Sequence, residues 1–233
     1  MKVSVAMLGP RNHYAIPVIL NKAGLLEKFY TDSYIGNKPV LEKILKISLK
    51  LLKKDFIKKW LTRKHEAINS DKVKSNEILG IKYAIERKKA RSYADLEKVF
   101  VEFNSKFCKW LINELEKEKK LPDAFYGFND AFYELFGYLK RKNIITILEQ
   151  SLIPHKIEYQ ILNAEIEKWK GWEKNEFYRN IESNLCEREL KEHSLCDYII
   201  APSPYVKDAL INVGVIPNKI VLIPYGIDTS KFH

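Results

Sequence analysis

Cys196-Asp197-Tyr198-Ile199-Ile200-Ala201-Pro202-Ser203-Pro204 is the stretch on which the architecture turns. Tyr198 to Ala201 is a short apolar run bounded by turn formers, and it reads as a strand. Ser203 followed by Pro204 starts a helix, with a side-chain oxygen at the N-cap and a pre-set φ at the first helical position. The helix runs to Val213 and must stop at Gly214. Ile220 to Ile223 is a last strand. It leads into Pro224-Tyr225-Gly226-Ile227-Asp228, where Gly226 permits a sharp turn. A strand, a helix and a second strand in so short a span make a βαβ unit, which calls for a parallel sheet.

Working outward, the same alternation covers the chain. Val3 to Leu8 is an apolar run with little alternation, as a strand buried on both faces should be. A helix is expected from His13 to Ala23, closed by Gly24. Lys28 to Thr31 reads as a second strand, and a weak third is expected near Val73. Residues 41–64 and 77–119 read as helices. Ala124 to Gly127 is a fourth strand, Asp130 to Lys142 a helix, and Ile144 to Leu148 the clearest buried strand. Helices return between Lys156 and Leu195. The fold class expected is α/β: one Rossmann-like parallel sheet flanked by helices, over residues 1–224. Residues 225–233 read as an exit from that domain.

The 233 residues are 46% hydrophobic and 30% charged, an ordinary globular balance. No apolar run reaches the length of a membrane span. The N-terminal run is too short for a signal-peptide core, so a cytoplasmic protein is expected. Cys108, Cys186 and Cys196 show no metal or redox spacing and read as buried or incidental thiols. No metal cluster, catalytic triad or P-loop stands out. The net charge of +10 favours anionic partners.

The segment from Cys196 to Asp228, with Val206-Lys207-Asp208-Ala209-Leu210 inside it and Phe232 behind, resembles the end of the N-terminal domain of family 4 glycosyltransferases. Arg11-Asn12-His13-Tyr14 and the run from Lys22 to Asp32 are similar to a branch of that family. The resemblance implies the N-terminal, acceptor-side domain of a GT-B fold. It implies retaining transfer of a sugar from a nucleotide-sugar to a glycan or lipid-linked acceptor, with no metal and no other cofactor. The donor-binding domain would follow residue 233, leaving this chain inactive alone, with Gly226 and Asp228 at the interdomain hinge. Many family members carry a Gly-rich loop after the first strand. Here only Gly9 is present, and a side-chain contact from Arg11 is the natural substitute. Glu165 and Glu173 match the spacing of the family's donor-binding glutamates. They lie upstream of the linker, in the wrong context, and are read as coincidence.

Ligands of open α/β sheets bind at the carboxyl ends of the strands. That edge receives Gly9, Arg11 and His13, then Thr31 and Asp32, then Asn129 and Asp130, then Glu149 and Gln150, and finally Ser203 and Tyr205. Arg11 and His13 are read at a phosphate or acceptor, and Asn129, Glu149 and Gln150 at acceptor hydroxyls. His155 lies near the same edge. Plain readings stand beside these: Asp130 and Ser203 as helix caps, His13 as a packing residue. Glu149, a charge ending a buried run, needs a partner or a function.

Residues 41–64 hold nine Lys or Arg against Glu42 and Asp55. As one helix, they put Leu41, Leu45, Leu49, Leu52 and Phe56 on one face and Lys43, Lys46, Lys50, Lys53 and Lys54 opposite. The plain reading is a surface helix packed on the sheet with solvated lysines; beside it stand insertion of the apolar face into a membrane interface and, preferred of the two, an electrostatic footing on an anionic membrane surface. The competing overall reading is a non-enzymatic basic module for membrane or nucleic acid. Nucleic acid is disfavoured, because the lysines have no stacking aromatics interleaved on their face.

Overall fold

The computed structural model describes residues 1–52, 55–172 and 178–226, with the side chains of 50–56 also outside the description. Its elements run β1 (Val3–Met7), α1 (Ala15–Lys22), β2 (Leu26–Thr31), α2 (Pro39–Leu52), α3 (Asp55–Leu61), β3 (Val73–Ser75), α4 (Glu77–Lys89), α5 (Tyr93–Glu116), β4 (Ala124–Phe128), α6 (Tyr133–Arg141), β5 (Ile145–Glu149), α7 (His155–Lys168), α8 (Asn184–Leu195), β6 (Tyr198–Ala201), α9 (Pro204–Asn212) and β7 (Ile220–Leu222). The strands form one sheet in the order β3-β2-β1-β4-β5-β6-β7, and every neighbouring pair is parallel. This is the Rossmann-like α/β architecture expected.

The strand order fixes where a ligand can sit. From β1 the chain steps outward to β2 and β3. It then returns across the sheet to β4 and steps the other way. Right-handed crossovers therefore put the helices of the two halves on opposite faces, and a crevice opens between the ends of β1 and β4. β1 and β4 are buried at all five positions, as central strands covered on both faces must be. The core around them is rich in aromatics. Tyr14, Phe29 and Tyr34 meet edge to face on one another, and Phe103 and Phe107 of α5 continue onto Phe132, just before α6. Each such buried side chain contributes about 1.5–3 kcal/mol of transfer free energy.

Three expectations change. His13 does not open a helix: Asn12, His13 and Tyr14 have φ of 46°, 50° and 64°, and α1 starts at Ala15. Side chains clash with the backbone in that left-handed region at about 1–2 kcal/mol per residue, so the loop after β1 is strained. Asp130 does not cap α6: its own φ is 76°, and α6 starts three residues later with no side-chain cap. The long helical stretches each divide. Residues 77–119 break where Ser92 caps α5, its hydroxyl accepting from Asp95 N–H while the Asp95 carboxylate accepts from Ser92 N–H. Residues 41–64 form α2 and α3.

In α2, Leu41, Leu45 and Leu49 are half-buried, as expected of the inner face. The outer face is not purely basic. Val40, Ile44 and Ile47 are exposed beside Lys43 and Lys46, and Lys46 pairs with Glu42. Lys53 and Lys54 lie outside the described residues, as do the side chains of Lys50, Leu52 and Phe56. Among the described residues, no helix is long and apolar enough to cross a membrane.

Candidate functional site at the β1, β4 and β5 ends

Glu149 is the last residue of β5 and is buried at 2% exposure. Tyr126 on β4 donates its hydroxyl to Glu149 Oε2 at 2.5 Å, and Tyr225, in the segment after β7, donates to Oε1 at 3.0 Å. One phenol thus ties the outgoing chain to the carboxylate at the β5 end. Burial, and then the Glu149 charge, push the Tyr126 phenol well above its ordinary range. It therefore stays a hydrogen-bond donor.

Arg11 stands beside this group, its guanidinium carbon 5.4 Å from the centre of the Phe128 ring at the end of β4. That places a half-exposed cation at the crevice between β1 and β4. Gly9 has φ +70°, and its N–H donates to Asp32 Oδ1 at 2.8 Å. Asp32 Oδ2 pairs with Arg63 at 2.7 Å. Gly80 packs over the same aspartate, where a Cβ would come 2.7 Å from the Asp32 carbonyl oxygen. The β1 loop is therefore held from below by Asp32. His13 is exposed.

The remaining predicted residues belong to a second, buried group. Gln150 is fully buried. Its amide nitrogen donates to Leu152 O and to Glu189 Oε1, and its oxygen accepts from His193 Nε2. It braces the site and has nothing left for a sugar hydroxyl. Asn129 donates to Asp130 Oδ2 at 2.6 Å and accepts weakly from Ser151 N–H. Asp130 and Phe132 donate their main-chain N–H groups to Glu192. His155 Nε2 lies 3.1 Å from Asp130 Oδ2, and its Nδ1–H donates to Glu158 Oε2 at 3.0 Å. Ser203 is a cap, accepting from Val206 N–H.

Burial alone would lower the His155 pKa, but the Asp130 and Glu158 carboxylates outweigh it and raise it to about 12. Burial, then the Asp130 charge, push Glu189 up to about 8 and Glu192 well above the carboxylate range. Burial lowers His193 to about 4. Asp130, His155 and Glu189 offer three ligand atoms within 4.8 Å of one another, a spacing that suits a metal ion.

Tyr126, Tyr225, Phe128, Glu189 and Glu192 were not singled out from the sequence as ligand-site residues. The one available signal was Glu189, Glu192 and His193 at one-turn spacing on a single helix. Glu165 is exposed and accepts from Trp169 Nε1 one turn on. Glu173 lies outside the described residues, as do Asp228 and Phe232. Gly226 is not among the glycines with positive φ.

Among solved structures, the UDP-GlcNAc 2-epimerase of Methanocaldococcus jannaschii is 14% identical, over 95% of this chain and 45% of its own, with a TM-score of 0.42. TcCGT1 in complex with UDP is 12% identical, over 97% and 50%, at 0.49. HepE of Anabaena, in complex with UDP and glucose, is 12% identical, over 99% and 46%, at 0.39. The chain spans about half the length of these structures, and overlaps this loose say nothing of activity. No curated protein matches. Residues 154–231 match the model of Glycosyltransferase Family 4. The resemblance read from the sequence is therefore borne out on that segment, which begins one residue before α7.

Proposed function

We propose that this chain is the acceptor-side half of a glycosyltransferase that moves a sugar from a nucleotide-sugar to a glycan or lipid-linked acceptor with retention. The observation that carries it is Glu149, a buried carboxylate held by two phenols at the strand ends next to the β1–β4 crevice, in a chain whose following segment matches the family. A sugar hydroxyl entering there can take over one of the two phenol bonds and donate to the carboxylate, which fixes its direction of attack. Arg11 faces the departing phosphate, whose charge grows as the glycosidic bond breaks. The leaving group is met by Arg11 and by groups of a second, donor-binding domain rather than by a metal. This half supplies orientation and field, not a nucleophile.

In that division of labour, residues 1–233 alone do not turn over UDP- or GDP-sugars. Turnover by this chain would contradict it. Titration of the complete enzyme with nucleotide-sugars and, separately, with oligonucleotides distinguishes the reading from a nucleic-acid module. Saturable binding of a nucleotide-sugar alone supports transfer, and binding of oligonucleotides alone contradicts it.

The same reading places Lys43 and Lys46 at an anionic membrane, where each basic residue contributes about 1 kcal/mol. The exposed Val40, Ile44 and Ile47 add an apolar contact to that footing. Sedimentation with anionic vesicles at low and high salt separates the two terms. Binding that survives high salt assigns it to the apolar stripe, and no binding at low salt removes the membrane.

A further inference from the structure

We propose that Asp130, His155 and Glu189 form a binding site for one divalent transition-metal ion, with zinc as the best-fitting occupant. One ligand atom from each lies within 4.8 Å of the others, and any pair wider than about 4.2 Å has to draw together for both atoms to reach one ion at about 2.1 Å. The three come from separate elements: the loop after β4, the first residue of α7, and the middle of α8.

One atom of the cluster is left without a protein partner. His155 Nε2 forms an ion pair with Asp130 Oδ2 at 3.1 Å, without the geometry of a hydrogen bond. That is close to the separation of neighbouring ligands around one metal. The partnerless atom is Asp130 Oδ1, in a side chain only 7% exposed. A buried carboxylate oxygen with no donor is costly, and a bound cation removes that cost.

The surrounding hydrogen bonds orient all three ligands. His155 donates Nδ1–H to Glu158 Oε2 at 3.0 Å, which directs the second ring nitrogen toward the cluster, as in carboxylate–histidine–metal arrangements. Asn129 Nδ2–H fixes Asp130 from one side at 2.6 Å. Glu189 accepts from Gln150 Nε2–H at 2.8 Å and from His155 N–H at 2.7 Å. One imidazole and two carboxylates suit zinc or manganese better than calcium, which takes six to eight oxygens. The competing occupant is a proton on His155 Nε2, which an incoming ion must displace. A bound ion would pin α7 and α8 to the β4 loop. The proposal does not depend on the sugar-transfer reading.

The test is calorimetric titration of the chelator-treated protein with zinc chloride, with elemental analysis after dialysis and melting curves with and without the ion. The expected result is one ion per chain and a higher melting midpoint. Replacing His155→Ala should weaken binding roughly 100-fold or more, and Glu158→Gln by about 10–100-fold. Glu158 is a third exposed, so its substitution leaves folding intact. Melting of the metal-free variants reports whether each folds, and Glu158→Gln decides if His155→Ala does not. Failure of the wild type to retain a stoichiometric ion, or wild-type affinity in a folded variant, overturns the proposal.

Discussion

Glu149 and Gln150 are consecutive residues at the end of one strand, yet they serve two different regions. Successive side chains of a strand point to opposite faces. Glu149 turns to the side where Tyr126 and Tyr225 hold it. Gln150 turns to the side where Glu189 and His193 consume both ends of its amide. The first region has a half-exposed cation, a strained loop and an outgoing segment around it, so it can open to a ligand. The second is closed, and its polar groups mostly satisfy one another. A polar residue after a buried strand is therefore not evidence of a ligand contact until its facing side is known.

The largest effect expected from this contrast is on stability in the closed region. Glu192→Ala leaves the N–H groups of Asp130 and Phe132 without acceptors in the core. At about 1–3 kcal/mol for each orphaned donor, a loss of about 3 kcal/mol is expected, or roughly 6–12 °C in a melting curve for a chain this size. A drop of only a degree or two would mean the closed region is looser than described.

A smaller effect of opposite sign is expected in the β1 loop. His13 is exposed and left-handed, so His13→Gly relieves about 1–2 kcal/mol of backbone strain. The greater freedom of glycine in the unfolded chain offsets part of it, and a rise of a few degrees at most should remain in the melt. Had His13 opened a helix, glycine would instead destabilise by up to about 1 kcal/mol.

The smallest effect concerns pH. Burial would raise the Glu77 pKa, but Lys38 and the Ser75 hydroxyl outweigh it and hold it below the usual value. A carboxylate depressed in the folded state stabilises above its unfolded pKa, and that contribution is lost as pH falls through the folded one. Below about pH 4.5 the wild type should lose up to about 1 kcal/mol that Glu77→Gln does not, readable as converging melting midpoints.

The sheet was legible because its strands are short apolar runs: Val3 to Met7, Ala124 to Phe128 and Ile145 to Glu149 were found to within a residue or two. The βαβ unit after α8 was legible in detail, down to the Ser203 cap and the Gly214 stop. The β1 loop was not, because its left-handed backbone is built from Asn, His and Tyr, where glycine would have announced it. The closed region was not legible either. Glu189, Glu192 and His193 share one face of a strongly polar helix, and that spacing alone does not separate an inward face from a solvated one. Tyr126 was hidden in an apolar strand, and only the folded chain brings Tyr225 to Glu149.

The most direct measurement pairs turnover with melting for Glu149→Gln in the complete enzyme. The amide keeps an acceptor for Tyr126 and loses one charge-assisted bond, so the melting midpoint should fall by no more than about 2–4 °C, or roughly 1 kcal/mol. Turnover should fall roughly 100-fold, the scale of one lost oriented electrostatic contact. Normal turnover with a large fall in the melting midpoint would contradict the account and make Glu149 as structural as its neighbour Gln150.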